Sequence, residues 1–116
     1  MLLEVQNVVL KMLAEGYEPA KALEALCHFL ETQLPSTTAT ILLVDDSARL
    51  QPFAGPNLDR SFAKAIAGKT IGPSQGSCGA AAFTGEAVTD TDLQNAERWR
   101  GYADLVAPLG LHACFS

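Results

Sequence analysis

The stretch Ile71-Gly72-Pro73-Ser74-Gln75-Gly76-Ser77-Cys78-Gly79-Ala80-Ala81-Ala82-Phe83-Thr84-Gly85 constrains the fold of this chain more than any other. Pro73 and Gly76 mark a loop, and Ala80, Ala81, Ala82 and Phe83 read as the body of a short helix that the loop enters abruptly. Ser77 is expected as the N-cap, its hydroxyl accepting from a free backbone N–H one turn on, and Gly85 as the left-handed C-terminal stop. Cys78 then falls at the first helical position, where the helix dipole is expected to lower its thiol pKa. A helix start built from small residues leaves N–H groups accessible, which suits it to wall a small-molecule pocket.

The chain of 116 residues, 48% hydrophobic and 18% charged, has the apolar content for one packed domain over residues 1–116 and is too apolar for disorder. A net charge of −5 repels phosphate backbones, which argues against nucleic acid as a partner. No apolar run has the length of a bilayer span, and Met1 to Asn7 has no signal-peptide pattern, so no membrane contact is expected. Three widely spaced cysteines, Cys27, Cys78 and Cys114, argue against a disulfide framework and for the reducing cytoplasm.

Around the central loop the periodicities define the remaining elements. Leu2, Val5, Val9 and Met12 form a stripe on a helix over 2–15, suited to a core or to a two-helix seam, with Gly16 ending it. A second helix starts at Glu18-Pro19, carries Leu23, Leu26, Cys27, Leu30 and Leu34 on one face, and stops at Pro35. Ala39–Val44 is apolar on both faces and reads as a buried strand, with Leu50–Ala54 as its hairpin partner at an edge because of Pro52. Asp59 caps a helix through Phe62, Ala63 and Ile66 that ends at Gly68. Glu86–Asp90 reads as a short strand, and Asn95 as the cap of a helix holding Trp99, Tyr102 and Leu105-Val106, closed by Gly110. Leu111–Ser116 alternates with period two.

This order of elements resembles a GAF domain, of the subgroup found in bacterial sensor histidine kinases and cyclic-di-nucleotide enzymes. Similar domains carry a Gly-Pro-x-x-Gly-Ser-Cys-Gly-x-Ala loop, here Gly72 to Ala81, and a Gly-Leu-x-Ala-Cys-x-Ser strand, here Gly110 to Ser116. Ser74 stands where the subgroup often has Gly, and His112 where it often has Arg. The resemblance implies an α+β fold with a central antiparallel sheet flanked by helices on both faces. Similar domains continue past the Cys-x-Ser strand into two more strands, so the resemblance also implies missing C-terminal strands.

The function implied is a sensory or regulatory module that binds a small molecule, dimerises through the helix over 1–15, and controls an attached output domain. Gly76, Ser77, Cys78, Gly79, Trp99, Tyr102, His112 and Cys114 are the candidate ligand contacts. Six of them have a structural alternative: Ser77 as a cap, Trp99 and Tyr102 as packing, His112 as a solvent-facing residue, and Cys78 and Cys114 as small fillers. Asp90 and Asp92 read as a strand end and a helix start rather than as paired carboxylates. His28 and His112 lack a second ligand at metal spacing, so no metal is expected; no cofactor is indicated, and no catalytic residue is assigned. Two other functions stay open: a dimerisation spacer without ligand, and, because some GAF proteins place a cysteine in a similar loop, reduction of free methionine sulfoxide at Cys78.

Overall fold

The computed structural model describes residues 2–116. Met1, the first residue of the expected N-terminal segment, lies outside the described residues, as does the Leu2 side chain. The described chain divides into two units. One runs to Leu42 and takes in Pro52–Leu58; the other comprises Leu43–Gln51 and Asp59–Ser116. The elements are helices and short antiparallel strands in separate runs, the α+β class that the sequence indicates.

The first unit is built on two helices, α1 (Leu2–Ala14) and α2 (Pro19–Gln33), which pack on each other. Both boundaries fall where the sequence puts them. Gly16 donates to the Leu13 carbonyl and Tyr17 to that of Met12, which closes α1. Pro19 opens α2 at a position whose missing N–H costs nothing. Val5, Ala22 and Cys27 are buried, whereas Leu3 (69% exposed) and Leu10 (63%) leave one side of α1 apolar and uncovered within the described residues. Glu31 near the end of α2 ties down the segment after it. Its carboxylate accepts from the Ala39 backbone at 2.9 Å and from the Asn57 amide.

The hairpin of β1 (Ile41–Val44) and β2 (Leu50–Ala54) runs through both units. Its turn is held by Asp45, whose carboxylate accepts from Ser47 N, Arg49 N and the Gln51 amide at 2.9, 3.0 and 3.1 Å. The expectation of a buried strand is corrected here: Leu43 and Val44 are 46% and 47% exposed. The physical reason is that β1 belongs to a two-stranded ribbon, whose far face has no layer of its own. The segment after α3 (Arg60–Ile66) adds to the start of β2, with Leu50 N donating to Lys69 O and Gly68 N to Leu50 O. Asp59 caps α3 as expected, accepting from Phe62 N at 3.1 Å.

In the second unit α4 (Gly76–Thr84) is followed by β3 (Thr89–Asp90), which pairs antiparallel with β4 (Cys114–Phe115). The strands thus form two ribbons of two strands each rather than one continuous sheet. Both β3 and β4 are shorter than their sequence patterns suggest, although paired bonds between Val88 and Ser116 extend the ladder by one step. The single helix expected from Asn95 to Val106 is also corrected. A 3-10 turn (Glu97–Trp99), a short helix α5 (Ala103–Val106) and a second 3-10 turn (Ala107–Leu109) take its place. Gly101 and Gly110 are the local reasons: the first interrupts the helical run, and the second ends it in the left-handed conformation. Asn95 caps nothing; its amide donates to Asp92 instead. The core of this unit is Leu50, Phe62, Ile66, Ala80, Leu93, Trp99 and Val106.

Candidate functional site

The start of α4 sets Gly76 and Ser77 against the Trp99 indole. Gly76 takes a positive φ of 70°, and a Cβ there would lie 3.7 Å from the Trp99 ring. Gly79 is required for a different reason. A Cβ at that position would stand 2.5 Å from the Gln75 Cβ, so only glycine lets the loop fold back onto the first turn. Gly72 closes the same loop by donating to the Gly79 carbonyl.

Ser77 is not the cap. Gln75 occupies the N-cap position with no side-chain capping bond, and Ser77 lies inside the helix, fully buried. Its hydroxyl donates to Asp90 Oδ2 at 2.6 Å and accepts from Trp99 Nε1 at 2.9 Å. The indole N–H also lies 3.2 Å from the same carboxylate oxygen. A buried hydroxyl beside a carboxylate and an indole satisfies more polar groups there than it would at the helix end, where a backbone turn already serves. Arg98 brings its guanidinium Nε to 3.5 Å from Asp90 Oδ2 as a counter-charge; that nitrogen is buried and has no hydrogen-bond partner. Phe62 of α3 stacks on Trp99 (centroids 6.3 Å apart, planes 10° apart), and Tyr102 meets it edge-on at 6.2 Å.

Beside this cluster lies an open cleft of about 380 Å³, walled by Ala65, Lys69, Gln75, Gly101, Tyr102 and Leu105. The Tyr102 hydroxyl donates to Gln75 Oε1 at 2.8 Å, and Lys69 and Ser74 are the cleft's other polar lining residues. Burial raises the Tyr102 phenol pKa, with a further push from Cys78.

Cys78 corrects a second expectation. It is the third residue of α4, and its thiol pKa is raised rather than lowered. Burial dominates, opposed by a hydrogen bond from the Gly79 backbone; the neighbouring Cys114 adds to the rise. All three cysteines are free thiols.

The structure therefore brings Gly76, Ser77, Cys78, Gly79, Trp99 and Tyr102 together, and sets Cys114 on β4 near them. His112 does not join them: its side chain is exposed, and its carbonyl accepts from Leu93 N. Asp90, the hub of the cluster, and Gln75, its bridge to the cleft, were not among the expected contacts. Among the described residues no group of His, Cys, Asp and Glu side chains has the arrangement of a metal site. Among the described residues no helix is long and apolar enough to cross a membrane.

No family model matches the chain, and no solved structure matches it. It is similar to the methyl sulfide methyltransferase-associated sensor of Methanosarcina acetivorans, with 29% identity over 112 residues, covering 96% of this chain and 11% of that protein. The chain spans about a tenth of the length of the curated relative it matches, and a sensory role is the functional class to which this likeness points.

Proposed function

We propose that the chain is a GAF-type sensory module that binds a small molecule in the cleft between Gln75 and Tyr102, dimerises through α1, and controls an attached output domain. The observation that carries this reading is the likeness, along nearly the whole chain, to a protein named as a sensor. The geometry supplies a route from the cleft inward. Gln75 precedes α4 directly, and Tyr102 packs edge-on against Trp99, which bonds Ser77 inside α4. A ligand that competes for the Tyr102–Gln75 bond changes the start of α4 and the seating of Trp99 together, and a differential affinity for the two arrangements shifts their populations. Leu3 and Leu10, seven residues apart and uncovered on α1, support a helix-to-helix dimer. In such a module the visible domain performs no catalysis, and its setting is a cytoplasmic signalling protein of the two-component or cyclic-di-nucleotide kind.

Calorimetry against a metabolite panel that includes cyclic nucleotides tests the sensing half: heat of binding that disappears in Tyr102→Ala supports it, and silence across the panel refutes it. Sedimentation tests the dimer half, with Leu3→Glu/Leu10→Glu expected to run as a monomer. A second reading, a dimerisation spacer without ligand, is favoured by the direct packing of Trp99 on Gly76 and Ser77, which fills the space beneath the α4 start with protein. The two readings part on calorimetry alone, since both include the dimer.

A further inference from the structure

Asp90 and Cys114 stand directly opposite each other across the β3–β4 pair. Opposed residues in an antiparallel pair project to the same face, with Cβ atoms about 4.5–5.5 Å apart. The Asp90 carboxylate on that face receives the Ser77 hydroxyl at 2.6 Å, so the face is turned toward the first turns of α4, and Cys114 is turned with it. Phe115, the next residue, projects the other way and is 75% exposed, as the alternation requires. Cys78 follows Ser77 on α4, and α4 packs against β4. Burial pushes the Cys78 thiol up, and Cys114 adds to that push. Both are free and half-buried, whereas Cys27 is 1% exposed on α2.

We propose that Cys78 and Cys114 are a redox pair, closed to an intramolecular disulfide by a peroxide. In the first step the Cys114 thiolate attacks one peroxide oxygen; the O–O bond breaks, a water leaves after protonation, and Cys114 becomes a sulfenic acid. In the second the Cys78 sulfur attacks the Cys114 sulfur; the S–O bond breaks, the S–S bond forms, and the released hydroxide leaves as water with the Cys78 proton. Two thiols are oxidised and one peroxide is reduced to two waters. Burial pushes the Cys78 thiol up, which suits it to the second, resolving step. The bond pins β4 to α4 beside the Ser77–Asp90 contact, so oxidation stiffens the cluster that the cleft borders. Thiol compounds reverse it.

The test is intact-mass spectrometry of the full chain treated with one equivalent of hydrogen peroxide, followed by non-reducing peptide mapping. The expected result is a loss of about 2 Da per chain, restored by dithiothreitol. The mapped bridge joins Cys78 to Cys114. It is absent in Cys78→Ser and Cys114→Ser and intact in Cys27→Ser. Mapping of the unaltered chain decides the matter even if a serine variant fails to fold. A mass gain of about 16 Da or its multiples without a bridge, a bridge that includes Cys27, or a disulfide-linked dimer overturns the proposal.

Discussion

Replacing Ser77 by alanine removes one oxygen from a side chain that is fully buried and holds two partners. The bond to the Asp90 carboxylate at 2.6 Å is of the charge-assisted kind, for which a net contribution of about 1.5–3 kcal/mol is usual. The second bond is partly compensated, because Trp99 Nε1 retains Asp90 Oδ2 at 3.2 Å. The missing oxygen leaves a void too small for a water molecule, and the helix propensity change favours alanine slightly. The net destabilisation expected is about 2 kcal/mol. With a urea dependence of roughly 1.5 kcal/mol per M for a domain of this size, the unfolding midpoint falls by about 1.3 M.

Trp99 makes the assay direct, since it is the chain's one tryptophan and it touches the altered oxygen. Its emission follows both global unfolding and the local change at the indole. Ser74→Ala, on the exposed part of the same loop, is the control and is expected to move the midpoint by less than about 0.3 M. A cycle with Asp90→Asn isolates the pair, and a coupling energy of about 1 kcal/mol or more is expected for groups in direct contact. A Ser77→Ala shift no larger than that of the control, or effects of Ser77→Ala and Asp90→Asn that simply add, would refute the reasoning that this cluster holds α4 in place.

Gly79→Ala forces a Cβ to 2.5 Å from that of Gln75, so the loop must open; the melting midpoint drops and the Tyr102–Gln75 bond is lost, which chemical shifts at Tyr102 report. Ala48 sits at a φ of 58° in the hairpin turn, a conformation that costs an L-residue about 1–2 kcal/mol, so Ala48→Gly is expected to raise thermal stability slightly once glycine's greater freedom in the unfolded chain is set against it. Asp45, bonded by Gln51 and by the Arg49 backbone, and Asp59, bonded by Ser61 and by Phe62 N, both have pKa values below the ordinary carboxylate range. Their contribution is therefore complete above the unfolded value of about 3.9 and is lost as pH falls through the lower folded values; thermal melts between pH 6 and pH 2 should decline there, and Asp45→Asn with Asp59→Asn should flatten that part of the decline.

Much of the fold was legible because its signals are local. Pro19 opening α2, Asp59 capping α3, Gly16 closing α1 and Gly85 closing α4 in the left-handed conformation each act within one helical turn, and each stands where the residue type puts it. Strand burial was less legible, because the apolar run Ile41–Val44 states only that the residues are apolar, and not whether a second layer covers them. The run from Asn95 to Val106 failed differently. Its apolar residues have helical spacing, but Gly101 in the middle and the need to seat Trp99 beside Ser77 break it into separate turns.

The site was legible in its glycines and illegible in its polar hub, and the difference is one of range. Gly76 and Gly79 answer to residues within the loop or to a ring that comes to meet them, so the small-residue pattern announces a tight helix start whatever lies opposite. Ser77 answers to Asp90, 13 positions on, and to Trp99, 22 positions on. A serine ahead of an alanine run satisfies the local rule for a cap, and only the arrival of a carboxylate from β3 changes which bond it makes. The same carboxylate fixes the direction of Cys114 through the strand register, so one residue that reads in the sequence as a strand end decides both how α4 is anchored and which cysteine faces it. A change that leaves the local pattern intact and displaces Asp90 therefore reaches both the anchoring of α4 and the seating of Trp99.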